Sequence, residues 1–159
     1  MGSHRDGRRT IPGVGAGFTA VALALTLSGC GVVLKEVSDG EFAETVPAAL
    51  AESDRGVTDS YAAKGLDGFT FYLSVGIDVD RETVDADDLA GFLRAILESN
   101  DLPTDEVRLR VQNAEGDFLD LEAIALEAAP DVELFGSSDT TLLVDNEQAI
   151  EIVKAVWGD

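Results

Sequence analysis

The chain has 159 residues, room for one domain behind a short leader; 45% are apolar but only 6% aromatic, so the core must draw mostly on Ala, Val, Leu and Ile. Eleven basic residues against 31 acidic ones give a formal net charge of −20, and residues 30–159 alone hold 8 basic and 30 acidic residues. Such a surface repels polyanions, which excludes DNA and RNA as partners, and a single cysteine excludes an intrachain disulfide.

The N-terminal segment reads first as an address. His4, Arg5, Arg8 and Arg9 make a positive start, and residues 18–27 follow as a ten-residue apolar run, half of the roughly twenty that a bilayer core requires. That order belongs to a cleaved export signal rather than to a permanent span. At Leu27-Ser28-Gly29-Cys30 the chain resembles the lipobox of bacterial lipoproteins, a Leu and two small residues before a Cys. The resemblance covers the first thirty residues only. It implies a diacylglyceryl thioether on the Cys30 sulfur, cleavage between Gly29 and Cys30, fatty acylation of the freed amine, and a position on the extracytoplasmic face of the cell membrane. At about 0.8 kcal/mol per buried methylene, one acyl chain holds marginally and two or three hold stably. An ordinary secretory signal with an incidental cysteine is the alternative. Arg8-Arg9 also resembles a twin-arginine signal, from which Gly7 and Pro12 depart. The expected organisation is a signal over 1–29, a lipidated tether over 30–40 and one α+β domain over 41–159.

Val32-Val33-Leu34 reads as a first strand or as part of the tether. Residues 41–53 repeat Phe42, Val46, Ala49 and Leu50 at helical spacing, with Pro47 expected to shorten or kink the start. Residues 57–63 read as a strand and 64–68 as a hairpin turn. Over residues 69–79, Phe69, Phe71, Leu73, Val75, Ile77 and Val79 alternate with smaller or polar residues, the pattern of a strand with one buried face. Asp85 suits a helix N-cap, Leu89, Phe92, Leu93, Ile96 and Leu97 make the stripe behind it, and residues 100–103 stop the helix. Val107, Leu109 and Val111 alternate with Arg108, Arg110 and Gln112 as another half-buried strand. A turn over 113–117, a helix capped by Asp120 and running to Ala129, a strand over 140–144 and a last helix capped by Asp145 complete the chain, with Ile150, Val153, Val156 and Trp157 expected inward.

This order predicts an α+β fold: a partly antiparallel sheet with helices packed on one face, an open-faced α/β sandwich. In element order alone, residues 41–112 resemble the BON domain of bacterial envelope proteins. With a strand at 32–34 they look instead like a ferredoxin-like βαββαβ unit. Neither resemblance rests on a residue motif, so neither carries a function.

The only histidine, His4, lies in the export signal and the only cysteine carries the anchor, so Ser–His and Cys–His pairs and Cys/His zinc sites are ruled out of the mature chain. Gly13-Val-Gly-Ala-Gly17 falls inside the signal and is no phosphate loop. The acidic run 78–88 fails the EF-hand pattern, with Thr83 where Gly is needed and Leu89 where Glu is needed; a loose calcium site from Asp78, Asp80 and Glu82 is the residual reading. With thirty acids in the mature chain a carboxylate pair suited to acid–base hydrolysis can arise by chance, but a small, aromatic-poor domain offers it no long cleft. Arg108 and Arg110 share the strand face opposite Val107, Leu109 and Val111, where Thr70, Tyr72 and Ser74 would join them if the strands are neighbours. Arg108, Arg110 and Tyr72 are therefore the candidate partner surface, against the plainer reading of cross-strand salt bridges. The expectation is a non-catalytic binding domain with no cofactor or metal, held to the membrane through Cys30 and facing an envelope protein partner. The alternatives are a calcium-responsive domain using Asp78–Asp88 and a small acid–base hydrolase.

Overall fold

A computed structural model describes residues 40–158. Residues 1–39, on which the expected export signal, Cys30 and the expected tether fall, lie outside the described residues. Four helices and four strands follow in order: α1 (Phe42–Ala51), β1 (Val57–Asp67), β2 (Thr70–Val79), α2 (Ala86–Ser99), β3 (Glu106–Gln112), α3 (Leu121–Ala128), β4 (Leu142–Val144) and α4 (Asn146–Trp157). The strands form one mixed sheet in the order β1-β2-β3-β4, and the fold is α+β.

The hairpin pairs β1 and β2 antiparallel, α2 carries the chain back so that β3 runs parallel to β2, and β4 returns antiparallel to β3. Parallel neighbours need such a crossover, and the fourteen residues of α2 supply it. Because β2 and β3 pair directly from Tyr72–Glu106 to Asp78–Gln112, no place is left between them for a strand from residues 32–34, as the split ferredoxin-like arrangement needs.

One face of the sheet is dry. Leu73, Val75, Ile77 and Val79 of β2, Val107, Leu109 and Val111 of β3, and Leu142 and Val144 of β4 are all buried, and the helices cover them with Val46, Leu50, Leu89, Phe92, Leu93, Ile96, Leu121 and Ile152. Asp85 and Asp145 cap α2 and α4 in capping boxes with Asp88 and Gln148, as their spacing predicts. The start of α1 has no cap of its own; Asp101, from the α2–β3 loop, accepts the Glu41 and Phe42 N–H groups at 2.9 and 3.1 Å. The helix continues through Pro47 without a break.

Three expectations are corrected. The hairpin turn is not 64–68 but the two residues Gly68 and Phe69, with Gly68 at φ +61° and Phe69 outside the positive-φ region, as a type II′ turn requires. β1 is correspondingly longer. Phe69 and Phe71 are not buried as the alternation over 69–79 suggests, because the hairpin runs past the start of β3, where the Lys64 ammonium lies 4.6 Å from the centre of the Phe71 ring. In α4 the inward residues are Ala149 and Ile152, while Ile150 faces solvent.

Candidate functional site

Among the described residues, the sheet face opposite the helices carries no covering layer. Register places Tyr61, Ala63 and Gly65 of β1 beside Gly76, Ser74 and Tyr72 of β2, and these beside Arg110, Arg108 and Glu106 of β3. The anticipated grouping of Tyr72 and Ser74 with Arg108 and Arg110 is therefore present. Two tyrosine–glycine pairs organise it. A Cβ on Gly76 would lie 2.1 Å from the Tyr61 ring, and one on Gly65 would lie 2.0 Å from that of Tyr72. Each ring lies flat across the bare backbone of the neighbouring strand, replacing the packing that a glycine cannot give.

Arg108 is engaged from all sides. Its guanidinium lies 3.7 Å from the centre of the Tyr72 ring, bonds Glu106 at 2.5 Å and reaches Asp67 at 3.3 Å. The Glu106 hydrogen bond, with a smaller contribution from Asp67, raises its pKa further above the ordinary arginine value. Arg108 and Tyr72 thus knit β1, β2 and β3 together, which is the salt-bridge role set out as the plainer alternative.

Arg110 differs. Its Nε donates to Thr141 Oγ1 at 2.8 Å, and the guanidinium has no other hydrogen-bond or ionic partner among the described residues. Alone among the described arginines, it has no carboxylate at salt-bridge distance: Arg55 pairs with Asp87 and Asp88, Arg81 with Asp80 and Asp88, Arg94 with Glu98, and Arg108 with Glu106 and Asp67. In a chain with nearly three acids per base, that is the informative exception. Arg110 borders a recess of about 150 Å³ with Tyr61, Asp78, Gln112 and Phe118, a volume comparable to cavities that hold a benzene ring. Tyr61 is 53% and Phe118 44% exposed, so the walls pair aromatic rings with an exposed planar cation that has no carboxylate partner among the described residues.

Tyr61 and Phe118 escaped the sequence reading. Tyr61 is the one large aromatic in its strand, but its place opposite Gly76 depends on the two-residue turn. Phe118 follows the 113–117 turn and reaches the face through a bridge to Gln112, which no periodicity announces.

The acids of 78–88 are dispersed. Asp85 and Asp88 build the α2 cap, Asp88 also bonds Arg81 at 3.0 Å, Asp80 lies beside Arg81, and Asp87 accepts from Arg55 at 2.7 Å and from Trp157 Nε1 at 2.6 Å. Those Trp157 and Arg55 hydrogen bonds, in that order, lower the Asp87 pKa. Asp87 thus latches Arg55 to Trp157, and Gly91 leaves room for this latch, since a Cβ there would lie 1.8 Å from Arg55 Nε. Among the described residues no three His, Cys, Asp or Glu are grouped to hold a metal ion, and no helix is long and apolar enough to cross a membrane. Leu27, Ser28, Gly29 and Cys30 lie outside the described residues. Set against known protein families, curated proteins and solved structures, the chain finds no match.

Proposed function

We propose that this chain is a membrane-anchored envelope lipoprotein, held by lipid on Cys30 at the extracytoplasmic face, whose α+β portion is a non-catalytic binding module. Its partner site is the helix-free sheet face, centred on the Arg110 recess. The observation that carries the reading is the carboxylate-free guanidinium of Arg110 between Tyr61 and Phe118. A planar fork with open donors in a ring-lined recess fits a carboxylate next to an apolar group, contributed by an envelope protein partner. The address rests on the Leu27–Cys30 motif.

Photo-crosslinking in cells tests the face. A benzoylphenylalanine at position 61 or 118 is expected to capture a partner, one at exposed Ile150 on α4 is not, and Arg110→Glu should abolish the capture. Equal capture from both faces, or capture indifferent to Arg110→Glu, refutes the site. The anchor has its own test: Cys30→Ser should yield a chain without lipid mass and uncut before residue 30. A variant that keeps both the lipid and the same mature start overturns the lipoprotein reading.

A further inference from the structure

The β1–β2 hairpin ends in an apolar tip. Leu66 is 58% exposed, Phe69 102% and Phe71 38%. Phe69 occupies the second turn position, where a polar residue would be free to stand, and a full phenyl ring there gains nothing from the fold. Clustered exposed apolar groups of this kind mark a contact surface.

The position of the tip says what it contacts. Phe71 exchanges hydrogen bonds with Asp105, donating at 2.9 Å to its carboxylate and accepting its N–H at 2.8 Å. A few residues earlier in the same α2–β3 loop, Asp101 caps α1, and a Cβ on Gly40 would lie 2.7 Å from Leu102. The chain therefore departs toward Cys30 at the hairpin end of the fold. Ten residues separate Gly40 from Cys30, a reach of at most about 36 Å. Of the acids at this end, Asp67 and Glu106 bond Arg108, Asp105 takes the Phe71 N–H, and Asp101 caps a helix. At the opposite end of the sheet no described cation lies at salt-bridge distance from Asp59, Asp78 or Glu82.

We infer that the Leu66–Phe69 tip is a second membrane contact, entering the headgroup–acyl boundary of the leaflet in which the Cys30 lipid is seated. Phe and Leu side chains suit that depth, and the described chain begins at the same end of the fold, ten residues from Cys30. This rests on the lipid-anchor reading, so the test supplies the anchor chemically. The full chain, synthesised without lipidation so that its sole thiol, Cys30, is free, is coupled through that thiol to phosphatidylcholine vesicles bearing a maleimide lipid. With the Trp157 emission of the parent subtracted, Phe69→Trp is expected to show a blue-shifted signal quenched by lipids carrying a nitroxide near the headgroup. Adding Leu66→Ser should reduce both effects. Phe118→Trp, at the opposite end of the sheet, should stay water-like and unquenched. A water-like, unquenched Phe69→Trp overturns the inference, as does equal quenching at positions 69 and 118. A shift that appears only in vesicles containing native membrane proteins also overturns it, assigning the tip to a protein instead.

Discussion

Gly76→Ala probes the site through the ring that covers it. The new Cβ would stand 2.1 Å from Tyr61 Cε1, so the ring must leave. A tyrosine buries roughly 150–250 Å² when fully covered; at 53% exposure about half of that is covered here, or about 100 Å². At about 25 cal/mol per Å² this is at most about 2.5 kcal/mol, an upper bound because the unfolded chain already hides some of it. If Gly76 provides around half of the cover, displacing the ring costs about 1 kcal/mol. In the Tyr61→Ala background nothing is displaced, and replacing a strand glycine by alanine should stabilise by about 0.5–1 kcal/mol. The Gly→Ala gain is common to both backgrounds and cancels, so the double-mutant cycle should show a coupling of about 1 kcal/mol, with Gly76→Ala stabilising only when Tyr61 is absent. Urea midpoints at unchanged m-value read it directly. A coupling below about 0.5 kcal/mol, or the same sign in both backgrounds, refutes the Tyr61–Gly76 stack and the recess wall it forms.

Leu73→Asp should cost about 4 kcal/mol or more by burying an unpaired charge, whereas Ser74→Asp, beside Arg108 on the open face, should stay within about 1 kcal/mol; equal thermal shifts would sink the register. Asp87 has a lowered folded pKa, so its contribution is complete above the unfolded value of about 3.9 and is lost as pH falls through the folded one. Melting temperatures of the parent and Asp87→Asn should differ at neutral pH and converge in acid, and Trp157→Phe should narrow the same gap; a gap constant with pH contradicts the latch.

What the sequence reveals is local, and what it hides is neighbourhood. The alternation from Leu73 to Val79 identifies β2 because one face of it is fully dry. The same alternation includes Phe69 and Phe71, since periodicity reports the face of a residue but not how far the covering layer extends. β3 starts opposite Tyr72, so both phenylalanines lie beyond the cover. Asp85 and Asp145 are legible as caps because a cap is completed within four residues, whereas the cap of α1 comes from Asp101, sixty residues away in sequence. The candidate surface is half legible for the same reason. Arg108 and Arg110 look equivalent at i and i+2, and only the register of β1 brings Asp67 to one and leaves the other with Thr141.

The tip and the recess lie along one hairpin, which sets the terms on which the proposed partner would be met. From Thr70 at the turn to Gly76 under Tyr61 is six residues, about 20 Å at roughly 3.3 Å per residue. With the tip at the lipid surface, the recess would face sideways about 20 Å above it, within reach of the extracytoplasmic part of a membrane protein. Asp78 borders the same recess as Arg110, so a bare anion gains from the guanidinium and loses to the carboxylate. A segment carrying a carboxylate with a basic group beside it satisfies both, and the surrounding negative field of the free acids at that end attracts the basic group first. Specificity would then come from the order of charges on the partner, with Arg110 selecting the acid and Asp78 rejecting any partner that lacks the base.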